Sequence, residues 1–256
     1  MRKHRSSRFA GEAYSRCMTD EDDAVMPQST SHPLRLLHID SSARFGRSGR
    51  DARGSHSRRL SHRFVARWIS KRPGDVVIRR DVAQIPPTPV DADWIDASFT
   101  ARECRSPTQS ARLAESDQLV AELLAADLLV IGAPMYNFGL PSQLKAWIDN
   151  IVRVGVTFGF DRSRDGEPYW PMLPPGKRLV ILSARGDYGY DPGGRLAAMN
   201  LVESSLQVPL GYIGLTDSHA IAIEYDEFAD ERLAASIATA EQATDELVDE
   251  LALSYS

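Results

Sequence analysis

From Leu34 onward the chain alternates between short continuous apolar runs and longer segments whose apolar residues recur three and four apart. The short runs are LRLLHID (34–40), DVVIRRDV (75–82), LLVIGAP (128–134), RLVILSA (178–184) and SHAIAIEY (218–225). Short apolar runs of this kind predict buried strands. Between them, SRRLSHRFVARWIS (57–70) sets Leu60, Phe64, Val65 and Trp68 at helical spacing. ARLAESDQLVAELLAAD (111–127), PSQLKAWIDNIVRV (141–154), RLAAMNLVESSLQVPLG (195–211) and the acidic 228–252 predict further helices. The Pro- and Asp-rich 85–109 predicts a long loop with some helix near Trp94.

A strand followed by a helix therefore recurs five times, with strands too apolar for a sheet that wets one face. Such strands belong to a parallel sheet covered on both sides, an α/β doubly wound fold with a five-stranded parallel sheet and helices on both faces. That architecture binds ligands beyond the carboxyl ends of its strands, at the topological switch point. The loops after Asp40, Pro134 and Ala184 are accordingly the ones to read for chemistry.

Composition narrows the picture without changing it. A chain of 256 residues with 43% hydrophobic and 25% charged content carries enough core to need no metal or disulfide staple. No apolar run reaches a membrane-spanning length of about eighteen residues. The two cysteines, Cys17 and Cys104, are far apart and outside any metal-ligand spacing, which fits a reducing, cytoplasmic setting. A net charge of −5 gives no reason to expect nucleic acid. Residues 1–33 mix basic, acidic and turn-rich stretches and predict a disordered tail without a secretory signal, and Met26 is an alternative start. The compact domain is expected over 34–256. Its charge is uneven: 34–80 holds thirteen Arg or Lys against three acids, and 217–250 eleven acids against one Arg. Either these are solvated surfaces, or some arginines flank an anion.

The first loop, SSARFGRSGRDARGSHSRRL (41–60), ends in Gly54-Ser55-His56-Ser57 directly before a helix. A lone serine there reads equally well as a cap. Several hydroxyls with a glycine at a strand-to-helix turn also suit a single phosphate, held by the first helical N–H groups. Neither GxGxxG nor GxxxxGK[ST] is present, which disfavours a dinucleotide pyrophosphate or a nucleoside triphosphate. In the second loop, Met135, Tyr136, Asn137 and Phe138 suit one wall of a flat ring, the plainer reading being core plugs under the sheet edge. The third, Ala184-Arg185-Gly186-Asp187-Tyr188-Gly189, is glycine-rich and suits close backbone approach or a plain turn. One phosphate site, one aromatic wall and one glycine loop together describe flavin mononucleotide (FMN).

PMYNFGLPSQLKAWIDNIVRVGVTF (134–158), with LLHIDSSAR, GSHS and LGYIGLTD (210–217) in support, resembles the FMN-dependent NADH-azoreductase and NAD(P)H-quinone reductase family of flavodoxin-like proteins. The resemblance covers about 34–252. It implies an enzyme that reduces quinones or azo compounds with NADH or NADPH by ping-pong hydride transfer through flavin N5, with no catalytic side chain and no metal. Ser42, Ser55, His56 and Ser57 would hold the phosphate and ribityl chain. Met135, Tyr136, Asn137 and Phe138 would line the isoalloxazine, and Ala184, Arg185, Gly186 and Asp187 its pyrimidine edge. The family is homodimeric with the site at the interface, so Phe158, Phe160 and Tyr212 would wall the substrate pocket of a partner. This chain departs from the pattern in an inserted GRSGRDARG (46–54), in A-R-G-D where S-R-G-G is usual, and in Phe160 where a tyrosine is common. Asp187 then either alters pocket charge or points to solvent. The alternative is a flavodoxin-type electron carrier or FMN-binding regulator without a substrate of its own; the long 156–176 excursion argues against an open flavin edge. His38, on an apolar strand, reads as packed, and His56 as a phosphate donor.

Overall fold

In a computed structural model that describes residues 32–255, all five predicted strands form. The tail expected over 1–33, the alternative start and Cys17 lie outside these residues, apart from His32 and Pro33. The strands are β1 (Arg35–Asp40), β2 (Val76–Asp81), β3 (Leu128–Pro134), a short β4 (Phe158–Phe160) and β5 (Tyr169–Pro171), β6 (Arg178–Ala184) and β7 (Asp217–Ile223). Five of them make one parallel sheet in the order β2-β1-β3-β6-β7, while β4 and β5 pair as a separate antiparallel hairpin. That hairpin occupies the 156–176 excursion. Its tightest contact places Trp170 where a Cβ on Gly159 would stand, 1.9 Å from Trp170 Cε2, so only glycine fits there.

The period of two along each strand sorts side chains to two cores. On one face Leu37, Ile39, Ile131 and Ile181 pack with Leu119 and Leu123 of α3 (Pro107–Ala125), Trp147 and Ile151 of α4 (Ser142–Ile151) and Leu206 of α5 (Val202–Tyr212). On the other, Leu36, Val130 and Val180 pack with Leu60, Phe64 and Trp68 of α1 (His56–Lys71) and with Val248 and Leu251 of α6 (Glu231–Ser254). The remaining helix, α2 (Ala92–Phe99), packs Trp94 against Leu113 of α3. No helix among the described residues is long and apolar enough to cross a membrane.

Helix ends follow local chemistry more than periodicity. α3 starts earlier than expected because Ser106 and Gln109 form a reciprocal capping box with Pro107 in the first turn. α5 starts seven residues later than expected, at Val202, whose N–H donates to Asn200 Oδ1 at 3.2 Å. The stretch before it is a glycine turn and a single 3₁₀ turn, Ala197–Met199.

The uneven charge resolves into a ladder between α1 and α6. Arg59 reaches Glu241 at 2.6 Å, Arg63 reaches Asp245 at 2.8 Å, and Arg67 reaches Asp249 at 2.6 Å. Both rows step by four residues, so each rung repeats one helical turn along its helix. Hydrogen bonds from Arg67 hold the Asp249 carboxyl down at about 2.

Candidate functional site

The switch point falls where the chain leaves β1 and β3, which are neighbours in the sheet. Three loops meet at that carboxyl edge: 41–55 after β1, 135–141 after β3 and 185–189 after β6. Met135 N–H donates to Ala184 O at 2.8 Å, and Ala43 N–H donates to the Tyr136 hydroxyl at 3.1 Å, so the middle loop is tied to both others.

The middle loop is a tight turn closed by reciprocal bonds between Tyr136 and Gly139, at 2.9 and 3.0 Å. Its central residues, Asn137 and Phe138, have φ of 48° and 69°. Two consecutive left-handed residues define a turn that ordinarily asks for Asn-Gly. Asparagine tolerates that region; phenylalanine is strained in it. The strain leaves Phe138 41% and Tyr136 38% exposed at the sheet edge instead of plugging the core. Met135 is half-buried and packs on the core, so the plug reading holds for it alone. Phe138 O accepts from Leu201 N–H at 3.0 Å, which ties the turn to the start of α5.

At the first loop, Ser42, Ser55 and Ser57 are all buried. Ser55 is the N-cap of α1: its Oγ accepts from Arg58 N–H at 3.3 Å and lies 3.0 Å from Ser57 Oγ. The cap reading is therefore correct for Ser55, while the next two N–H groups, of His56 and Ser57, stand in the first turn with Ser42 close by. His56 does not face that turn freely. Its Nδ1 is 2.7 Å from Ser48 Oγ and its Nε2 is 3.2 Å from Asp226 Oδ1. Hydrogen bonding to His56 in turn holds the Asp226 carboxyl below its ordinary value.

Sequence reading missed Arg58. It is 3% exposed, grips both oxygens of Asp81 at 2.6 and 2.9 Å, and donates to Ser42 O at 2.8 Å, so it fixes the start of the loop. Its place inside an arginine-rich run hid it; the only signal was a position one turn into the helix, facing the sheet. Beneath it, Asp40 meets His38, His62 and Ser61. Burial would raise the Asp40 carboxyl, but hydrogen bonds from His38, His62 and Ser61 outweigh it and hold the group well below the carboxylate range. His38, Asp40 and His62 have the spacing of metal ligands, yet their surroundings have the wrong polarity. Arg58 Nη1 lies 3.4 Å from Asp40, and Arg79 Nη1 lies 3.1 Å from His38 Nδ1. A metal-bound histidine instead gives its second N–H to an acceptor.

The third loop turns its side chains inward. Arg185 is 3% exposed and pairs with Asp191 at 2.8 Å, Glu203 at 2.6 Å and Glu224 at 3.0 Å. Its guanidinium lines a groove of about 1050 Å³ between α5, β7 and α6, not the 135–138 turn. The carbonyls of Arg185, Gly186 and Asp187 accept from Asp226, Glu227 and Tyr225 N–H of the loop after β7. A trans peptide points its N–H opposite to its carbonyl, so Gly186 and Asp187 N–H face away from β7, the side where β3 lies. Asp187 is bound by Arg195 and by Tyr188 N–H, and the Arg195 hydrogen bond keeps its carboxyl below the ordinary value. Of the two readings of Asp187, a free charge in the pocket is therefore the one the geometry disfavours.

Phe158, Phe160 and Tyr212 do not join these loops within one chain. They cluster with Tyr169, with ring centroids 4.7 to 6.3 Å apart. α5 leaves the 135–138 turn at Val202 and delivers Tyr212 ten residues later, about 15 Å along its axis. The aromatic cluster thus gathers around the far end of α5, away from the 135–138 turn.

Comparison with known proteins agrees with this geometry. The family described as Flavodoxin-like fold matches residues 35–247. The FMN-dependent NADH:quinone oxidoreductase 2 of Idiomarina loihiensis is 42% identical over 219 residues, 86% of this chain and 91% of that protein. The FMN-dependent NAD(P)H:quinone oxidoreductase 1 of Pseudomonas aeruginosa is 43% identical over 194 residues, 75% of this chain and 88% of that protein. An azoreductase structure from Bacillus anthracis str. Sterne superposes with a TM-score of 0.73 at 21% identity, over 85% of this chain and 99% of that one, a likeness of fold. On the sequence matches, the chain belongs to the FMN-dependent NADH:quinone oxidoreductase family, built on a flavodoxin-like fold.

Proposed function

We propose that this protein is an FMN-dependent oxidoreductase that passes electrons from NADH or NADPH to quinones or azo compounds. The observation that carries it is the strained turn at 136–139, which holds an exposed tyrosine, amide and phenyl ring beside the hydroxyl-rich start of α1. That pairing fits FMN in two respects: a wall for a flat ring, and a helix N-terminus for one phosphate. When bound, FMN would supply two-electron hydride chemistry between the nicotinamide and the acceptor. The chain's own residues hold and orient. His56 and Ser57 N–H with the Ser42 and Ser57 hydroxyls would bind the phosphate. Met135, Tyr136, Asn137 and Phe138 would line the ring, and Gly186 and Asp187 N–H would meet its pyrimidine edge, where donors stabilise developing negative charge.

The enzyme works as a cytoplasmic homodimer. Phe160 at 37%, Tyr169 at 44% and Tyr212 at 41% exposure form an aromatic patch far from the chain's own slot, and a patch of that kind marks an interaction surface. Laid over a partner's slot, it would wall the acceptor site and exclude water, as the electron-carrier reading does not require.

The deciding measurement is the visible spectrum of purified protein before and after NADH. An oxidised-flavin spectrum that NADH bleaches and menadione or methyl red restores is the expected result. A protein that takes up no added FMN overturns the assignment, and one that takes it up without turnover is a carrier. Light scattering tests the assembly: a monomer with full turnover would remove the partner from the site.

A further inference from the structure

The 46–54 insertion is a folded unit that none of the strand-end loops requires. Arg50 and Asp51 N–H both donate to Arg47 O, Arg47 N–H donates to Asp51 Oδ2 at 2.7 Å, and Ser55 N–H closes on Gly46 O at 2.7 Å. Gly54 makes that closure possible, since a Cβ there would lie 2.0 Å from the Arg47 carbonyl carbon. The folded loop lies against the outer side of α1 and leaves a cleft of about 290 Å³. Arg47, Arg50, Arg59, Arg63, His62 and Ser48 line it, with no carboxylate among the lining residues. Arg59 and Arg63 have partners on α6, whereas Arg47 and Arg50 make no ion pair among the described residues. Glu241 and Asp245 already balance Arg59 and Arg63, so the charge without a counter-ion among the described residues is that of Arg47 and Arg50, an excess that an anion in the cleft would offset.

We propose that this cleft binds a phosphate-type dianion, a phosphomonoester or free phosphate, at a site separate from the FMN slot. Guanidinium forks match phosphate oxygens in pairs, which favours phosphate over a halide. The cleft is distinct from the N-terminus of α1. Arg59, His62, Arg63 and Ala66 recur at helical spacing, which puts it about 5 to 15 Å down the helix axis from His56. The same chemistry has two sources within reach of such a site: the 2′-phosphate of NADPH, or a free phosphorylated metabolite.

The test is titration of the FMN-saturated protein with inorganic phosphate by calorimetry, in low-salt, phosphate-free buffer. Saturable binding in the millimolar range or tighter is expected, weakened at least about tenfold in Arg47→Ala/Arg50→Ala, because charge-assisted bonds are lost. Arg162→Ala/Arg164→Ala, on the distant hairpin loop, should leave it intact. No saturable binding, equal binding in the Arg47/Arg50 variant, or equal loss in the hairpin variant overturns the proposal. The source then follows from the ratio of kcat/KM for NADPH to that for NADH. A fall in this ratio in the Arg47/Arg50 variant assigns the cleft to the nicotinamide 2′-phosphate; an unchanged ratio with lost phosphate binding assigns it to a free metabolite. Phosphate binding is read without turnover, so failure of the oxidoreductase reading leaves this result interpretable.

Discussion

The turn after β3 and the loop after β6 sit side by side, joined by the Met135 to Ala184 bond, and they are built on opposite plans. The first spends its backbone on closing itself and leaves Tyr136, Asn137 and Phe138 exposed. The second buries its most polar side chain, Arg185, among carboxylates and turns the Gly186 and Asp187 N–H groups away from β7. One loop offers side chains and stores strain; the other offers main chain and is anchored. Recognition of a flat, polar-edged ring needs both.

This contrast can be broken most forcefully at its anchor. Arg185→Met leaves the half-buried Glu203 and Glu224 without their cation, and should cost about 2 to 4 kcal/mol by denaturant unfolding; a loss below about 1 kcal/mol would mean the loop does not depend on that network. On the other side, Phe138→Gly should raise the stability of FMN-free protein by about 1 kcal/mol, because glycine accepts the left-handed backbone, while weakening FMN retention. If stability falls, the turn is not strained. A finer probe sets Asn137→Ala against Lys145→Ala, whose amine pairs with Asp149 on the exposed side of α4. The Asn137 variant should lose about fivefold in FMN affinity, the worth of one hydrogen bond, and the Lys145 variant nothing measurable; equal losses would detach the amide from the cofactor.

The smallest effect is the acid response. The Asp187 and Asp226 carboxyls are held below their ordinary 3.8 by bonds from Arg195 and His56 respectively. Their contribution is therefore complete above about 3.8 and is lost as the pH falls below it. The loops after β6 and β7 should loosen in acid before the turn after β3, whose only titratable side chain is Tyr136. Amide hydrogen exchange across the acid range reads this directly, and simultaneous loosening would contradict it.

Much of this was legible in the residues, for physical reasons. Strand runs such as LLVIGAP are buried on both faces, so their apolarity survives any detail of packing. The strand-end loops were legible because chain order in a parallel sheet fixes which end each loop occupies. What stayed hidden depends on partners distant in sequence. Arg58 looks like one more surface cation until Asp81 and Ser42 O are seen around it. The Arg185 loop was read for its backbone, and the side chain's partners went unread: Glu203 on α5, whose start the periodicity misplaced, and Glu224 just after β7. The Phe158, Phe160 and Tyr212 grouping came from the family resemblance and not from periodicity, and their contact through Tyr169 depends on the hairpin and the end of α5 meeting.

The ladder between α1 and α6 joins residues 182 positions apart. During synthesis, Arg59, Arg63 and Arg67 emerge early and wait without counter-charge until residues 231–254 have been made. The central strands can pair before then, but the face of α1 turned toward α6 cannot be covered. α6 is thus a late-closing clasp, and a stalled or clipped chain lacking it would present a row of cations and the α6-facing side of β7, with Ile221 and Ile223, to the cell's quality-control machinery.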